Sequence, residues 1–307
     1  MMPSTQSAVV LTAALALGLG TPIAQAEDIL GKAPTYATRS LGTTGADGLP
    51  NAAAMTRRIW APELDDGFVP QGLTFVEGSL YLGAYQSAER ATGRGPCRVF
   101  RIDAETGGVT AKLDLPASCG HAGGLAKGAS GHIWVVDTRT MFEIAPTALT
   151  VGASNSLGRV VREVPIEPPV KGSFAAGDGR AIWLGSYERD KPGRLYRIPL
   201  AAIDGAAVGA GQADTSIELP SRAQGAAFDR NGDLWITRSG AAFGELLHLN
   251  SATGKTTARY AMPDGIEDVS FDPSGMIWAV SEAGSRRWSN WATHFPVVFR
   301  IDPSRLR

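Results

Sequence analysis

Gln224-Gly225-Ala226-Ala227-Phe228-Asp229-Arg230-Asn231-Gly232-Asp233-Leu234-Trp235 and Glu267-Asp268-Val269-Ser270-Phe271-Asp272-Pro273-Ser274-Gly275-Met276-Ile277-Trp278 are two copies of one unit. In each, an apolar residue opens a short strand pattern, a cluster of Asp, Asn, Pro and Gly makes a tight reversal, and a tryptophan follows in a second strand. The nine-residue spacing from opening residue to aromatic recurs at Leu125/Trp134 and Phe174/Trp183, and shortens to eight at Leu73/Tyr81. Each pair is followed by a second apolar or aromatic beat, at Phe100, Phe142, Tyr196, Leu247 and Phe299. A period of about 40 to 55 residues made of short strands marks a β-propeller, with one four-stranded blade per repeat.

Naming the strands a to d from the centre outward, strand a opens at Leu73, Leu125, Phe174, Ala226 and Val269, and strand b carries the aromatic that follows. Strand d ends in an apolar-Pro step at Leu115-Pro116, Leu219-Pro220 and Met262-Pro263. The fifth repeat has no strand d of its own, whereas Arg57-Arg58-Ile59-Trp60-Ala61-Pro62, ahead of the first repeat, has the same ending. The expectation is an all-β, five-bladed propeller closed by this N-terminal strand, which removes the last open sheet edge. Six blades are the alternative, with the extra one drawn from the Gly-rich stretch before the first repeat. The propeller then occupies 55–307 as a single domain, and 27–54 is a poorly patterned lead-in.

The first 26 residues contain no charged side chain, run apolar from Ala8 to Leu19 and end in Ala24-Gln25-Ala26, which reads as a signal peptide cleaved before Glu27. The apolar run falls short of the roughly 20 residues a membrane-spanning helix needs. A periplasmic or secreted protein with no membrane span after cleavage is therefore expected. Export favours pairing of the two cysteines, Cys97 and Cys119, and the propeller register places both on one face in neighbouring blades. A formal net charge of −1 and the lack of long Lys or Arg runs argue against nucleic acid as a partner.

Propeller ligands sit over the central channel, reached by residues leading into strand a. Two positions before each strand a opening stand Gln71, Gly123, Gly172, Gln224 and Glu267, with His121 and Asp268 beside them. Glu267, Gln71 and Gln224 form a candidate oxygen-ligand set for a divalent cation such as Ca²⁺, and Glu267, Asp268 and His121 are candidate catalytic acid, base and proton-shuttle groups. The plainer reading is that these side chains cap backbone groups. The longest connections follow strand b in blades one and five and are expected to stand side by side over the channel. The second, Ser281 to Pro296, holds Glu282, Arg287, Trp288, Trp291 and His294, a set suited to stacking on and ion-pairing with a small ligand, or to pinning a long loop. Arg238, directly after strand b, is expected to point inward. No Gly-x-Ser-x-Gly, His-Glu-x-x-His or Cys-x-x-Cys occurs.

The quoted units, with Pro70-Gln71-Gly72-Leu73, resemble the strand a to strand b segment of the NHL, SMP-30 gluconolactonase and strictosidine-synthase-like propellers. That resemblance implies the fold, and for the gluconolactonase type a central divalent cation held by acidic and amide side chains, which Glu267 and the two Gln would imitate. This chain lacks a second carboxylate and an asparagine around the ring. Two functions stay open. One is an exported propeller that binds a small anionic or sugar-like ligand over the channel and hydrolyses a lactone or ester with a cation's help. The alternative is a non-catalytic envelope module that docks another protein through the loops of blades one and five.

Overall fold

The computed structural model describes residues 29–36, 48–89, 95–150 and 160–307. The expected signal peptide and cleavage site lie outside these residues, as does part of the lead-in. The described strands, in chain order, are β1 (Met55–Trp60), β2 (Phe68–Val76), β3 (Ser79–Gln86), β4 (Cys97–Asp103) and β5 (Val109–Asp114). Then come β6 (Gly124–Lys127), β7 (Ile133–Asp137), β8 (Thr140–Ile144), β9 (Val160–Pro165), β10 (Phe174–Gly177), β11 (Ala181–Gly185), β12 (Gly193–Pro199) and β13 (Thr215–Leu219). The last are β14 (Ala223–Phe228), β15 (Leu234–Gly240), β16 (Phe243–Leu249), β17 (Thr256–Met262), β18 (Ile266–Phe271), β19 (Ile277–Ser281) and β20 (Val297–Ile301).

They form five four-stranded antiparallel sheets. Four sheets are consecutive runs, β2 to β5, β6 to β9, β10 to β13 and β14 to β17, and the fifth is β18-β19-β20-β1. The N-terminal strand closes the ring as its apolar-Pro ending implied, with Arg58 opposite Phe299 and Trp60 opposite Val297. Leu30 then covers part of the outer edge of β1, bonding its N–H to Arg58 O at 3.0 Å and its carbonyl to Trp60 N at 2.9 Å. A covered edge has fewer unpaired groups to offer another chain.

The core is divided into five apolar clusters, one for each contact between neighbouring blades. The blade five to blade one contact, made by Ile59, Leu73, Phe100, Trp278 and Val298, is as dry as the other four, so ring closure is sealed by side chains as well as by strand pairing. The strand b tryptophans are fixed from the a-to-b turns. Asp178, Asp229 and Asp272 accept turn N–H groups on one carboxyl oxygen and the indole N–H of Trp183, Trp235 and Trp278 on the other, at 2.9, 3.2 and 3.2 Å. The strand c partner across from the indole is Arg197 in blade three and Arg300 in blade five, and each bonds the same Asp. Thus the Asp of the repeat, which reads as a turn residue, also orients the aromatic that fills the blade contact. On the opposite, top face, Cys97 and Cys119 form a disulfide between the start of β4 and the connection into blade two.

Candidate functional site

Strands β2, β14 and β18 each carry an irregularity in pairing with strand b, between Pro70 and Leu73, Ala223 and Gly225, and Ile266 and Val269. A bulge puts two residues opposite one and re-aims a side chain. Gln71, Gln224 and Glu267 occupy these three points, which is why the first ring position stands apart from strand alternation. Gln71 Nε2 donates to Glu282 Oε2 at 2.8 Å, and Gln224 Nε2 donates to Glu267 Oε1 at 2.9 Å. Glu267 is also held through its carbonyl by the Thr237 hydroxyl.

Asp268, the next residue, does something different. It is fully buried, its Oδ2 accepts from the backbone N–H of Leu73 at 2.9 Å and of Leu125 at 3.1 Å, and its Oδ1 accepts from Val269 N at 3.0 Å. Ala226 N–H is a fourth donor. One carboxyl therefore ties together the inner strands of blades one, two, four and five. Burial pushes its pKa well up, and the four amides pull against that rise. Gly225 allows the approach, since a Cβ there would stand 2.5 Å from Asp268 Cα.

Above this plug opens a cavity of about 430 Å³. Its wall includes Tyr85, Thr138, Tyr187, Ser239 and Glu282, each lying four residues after the strand b aromatic of its blade. This second ring, one residue per blade, follows from the repeat, because Tyr81, Trp134, Trp183, Trp235 and Trp278 fix its register; of its members, the sequence picks out Glu282 and Tyr187. Gln71, Gln224 and His121 of the expected set also line the cavity, with Trp288 and Trp291 from the blade five loop and Lys171, Arg189 and Arg222 from the connections of blades three and four.

Glu282 is the chemical centre of the wall. Its Oε2 accepts from Gln71 and, at 2.7 Å, from the Trp288 indole, and its carboxyl is also hydrogen-bonded to Glu267. Burial raises its pKa from 4.5 to about 7, against the pull of the Trp288, Gln71 and Glu267 hydrogen bonds and the Arg287 charge. Two touching carboxyls out of water retain a proton between them. One member of the pair, Glu282, faces the cavity.

The other loop residues divide. Trp288 and Trp291 stack at a centroid distance of 4.9 Å; Trp288 orients Glu282, and Trp291 rests over Gly265. Arg287 braces the two long loops to each other, bonding the Ser87 hydroxyl and, at 3.2 Å, Glu89 O. His121 packs beside Tyr85 at 5.5 Å. His294 is buried beside Trp60 and Tyr36 and does not line the cavity. Arg238 does not turn inward, because Glu245 holds it at 3.0 Å along the strand b to strand c pairing, with Ser221 O as a second partner.

The donors around the ring do not suit a cation. Gln71 and Gln224 present amide nitrogens to the two carboxyls, and Trp288 adds an indole N–H, so the carboxyl oxygens of Glu267 and Glu282 are already met by hydrogen-bond donors. Among the described residues, side chains able to hold a metal do converge elsewhere. Asp229, Asp233 and His248 have ligand atoms within 4.8 Å of one another, on the face opposite the cavity. Asp229 there is engaged by its own turn and by Trp235.

No protein-family model and no characterised protein sequence matches the chain. Solved structures do. Glutaminyl cyclase of Myxococcus xanthus superposes with a TM-score of 0.54 at 13% identity, over 81% of this chain and 94% of that one. The likeness is one of fold. A gluconolactonase from Xanthomonas campestris (18% identity, TM-score 0.43, 80% of this chain and 81% of that one) and virginiamycin B lyase from Staphylococcus aureus (13%, 0.41, 74% and 82%) are more distant in shape.

Proposed function

We propose that this propeller is an exported enzyme that moves protons at an acyl group, in a lactone, ester or amide, of a small ligand bound in the top-face cavity. The observation that carries this reading is Glu282, a cavity-wall carboxyl brought to a pKa of about 7 by burial and set against a second carboxyl. A group poised near the working pH serves best as both base and acid. As carboxylate, Glu282 takes a proton from the attacking water or amine while the new bond to the acyl carbon forms. It then returns that proton to the leaving oxygen or nitrogen as the old bond breaks, so no redox partner is needed. Glu267 hydrogen-bonds the Glu282 carboxyl, Gln71 and Trp288 hold Glu282 in place, and His121 and Tyr85 stand on the same wall to donate to the oxyanion.

A cation such as Ca²⁺ takes no step in this scheme, because the ring presents N–H donors to its carboxyls. That glutaminyl cyclase uses the same architecture is in keeping with an enzyme. The cavity is concave rather than flat, which disfavours the docking-module alternative. For export, the Cys97–Cys119 disulfide fits an oxidising compartment, and no helix among the described residues is long and apolar enough to cross a membrane. N-terminal sequencing of the mature protein is expected to begin near Glu27.

The deciding experiment is hydrolysis across a lactone, ester and amide panel as a function of pH, with wild type and Glu282→Gln. Turnover that titrates near pH 7 and disappears in Glu282→Gln supports the proposal. Turnover unchanged by that substitution, or no turnover on the whole panel, would overturn it and leave the docking module.

A further inference from the structure

Across the cavity from the blade five loop, the wall is cationic, and the cations are held in position. Arg222 has a left-handed backbone at φ 62°, a conformation that costs any side chain with a Cβ and suits glycine. It is kept there from both sides: its N–H bonds Glu188 O at 2.6 Å and its carbonyl accepts from Ser239 N at 3.2 Å. The Arg222 side chain bonds the Arg189 carbonyl through Nε at 3.2 Å and lies over Phe243, which turns the guanidinium along the cavity wall. Lys171 reaches the same wall, steadied by Glu188 at 2.5 Å. Strain of this kind persists only where the surroundings over-determine it, as the bonds to Glu188 and Ser239 do here.

The local charge has a definite sign. Lys171, Arg189, Lys191 and Arg222 outnumber Glu167, Glu188 and Asp190 in these three connections; Glu188 holds Lys171, and Asp190 lies 3.8 Å from Arg222. On the blade five side, by contrast, the Trp288–Trp291 pair is uncharged, and the loop's Arg287 is engaged by Ser87 and the Glu89 carbonyl and does not line the cavity.

Building on the acid–base reading of Glu282, we infer that Lys171, Arg189 and Arg222 form a clamp for an oxyanionic head group, a carboxylate or phosphate, on a ligand whose apolar body lies against Trp291. Arginine's planar fork matches two anionic oxygens at once, and a partly enclosed site strengthens the pair. This sets a polarity for the ligand, with its anionic end toward blades three and four and its acyl group toward blade five. It also selects the anionic class over neutral sugars.

The test uses binding without turnover. Full-length mature protein is titrated by calorimetry and thermal shift with benzoate, phenyl phosphate and the neutral isostere benzamide. Wild type is expected to bind at least one of the two anions about 10-fold or more tighter than benzamide, less tightly as salt rises. The preferred anion distinguishes a carboxylate from a phosphate head group. Arg222→Gly, which relieves the backbone and so keeps the fold, should weaken the anion about 10- to 100-fold, the scale of hydrogen bonds to a charged group. Arg189→Ala, at an exposed residue, should weaken it too, while Arg259→Ala on outer strand β17 should not. Benzamide binding as tightly as both anions, neither anion binding, or Arg222→Gly and Arg189→Ala binding like wild type would overturn the clamp. Failure here leaves the pH profile of Glu282 untouched, and failure of that profile leaves the clamp standing.

Discussion

Replacing Asp268 separates a structural carboxyl from a catalytic one. Four backbone N–H groups, from Leu73, Leu125, Ala226 and Val269, converge on it in the dry centre of the ring. In Asp268→Ala all four lose their acceptor, and each buried unsatisfied donor costs about 1–3 kcal/mol, so the total is about 4–12 kcal/mol. A domain's entire stability is about 5–15 kcal/mol. The alanine variant is thus expected to be recovered unfolded or only marginally folded.

Asp268→Asn is the informative variant. Its one oxygen keeps part of the set, while its amide N–H₂ faces donors, and a loss of about 2–6 kcal/mol follows from two broken bonds. In urea, with m near 3 kcal/mol/M, the midpoint falls by about 1–2 M without a change in slope. Any activity should survive in the protein that remains folded, because Asp268 does not reach the cavity. An Asn variant within about 0.5 kcal/mol of wild type would refute the structural role of Asp268 at the ring's centre. If that stable variant also lost turnover, the adjacent Glu267-Asp268 pair would regain the catalytic reading that the sequence suggested.

Further outcomes follow from the same contacts. Glu282 has a folded pKa of about 7 against 4.5 in the free group, so the folded state holds an extra proton between these values. Its stabilising contribution is full below about pH 4.5 and is lost as pH rises through 7, by about 3 kcal/mol, and urea midpoints for Glu282→Gln should show a flatter slope over that window. Burial lowers the His294 pKa, so protonation opposes folding; stability from this group declines as pH falls below about 6.5, and His294→Gln should remove that decline from the same titration. Replacing both Cys97 and Cys119 by Ala opens a loop with a sequence separation of 22 and should cost about 3 kcal/mol in the urea assay. Asp272→Ala removes the acceptor for Trp278, Arg300 and the Ser274 turn, and a loss of about 2–4 kcal/mol at neutral pH is expected from calorimetric melting.

The fold was legible because the repeat states it twice over, once in the apolar-to-aromatic spacing and once in the Asp-containing turn. Those signals are local, and tertiary packing does not override them when every blade meets its neighbours through the same surfaces. The ring-closing strand could be read because its apolar-Pro ending matches strand d. The site was legible in its location but less so in its roles. Glu282, Gln71, Gln224, Trp288 and Trp291 meet at one cavity, whereas His294 and Arg238 are drawn off to partners in other strands and loops. Such partners are set by side-chain reach across blades, which spacing along one chain does not encode. Tyr85, Thr138 and Ser239 were missed for a different reason: their shared register was present in the sequence, but their residue types differ, so composition gave no cue.

The Glu267-Asp268 step shows how one backbone irregularity makes both scaffold and site. In a regular strand, consecutive side chains point to opposite faces, and an acid placed among apolar partners would be expelled or unpaired. The bulge between Ile266 and Val269 sets two residues against one, so Asp268 meets the backbone donors of the inner strands while Glu267 reaches Gln224 and the Glu282 carboxyl. The first contact fixes the positions of four blades, and the second gives the buried carboxyl that faces the cavity a carboxyl partner. Straightening that bulge would therefore loosen the ring and take from Glu282 its carboxyl partner in the same step, and for that reason the acid pair of the repeat belongs to the fifth blade's closure as much as to its chemistry.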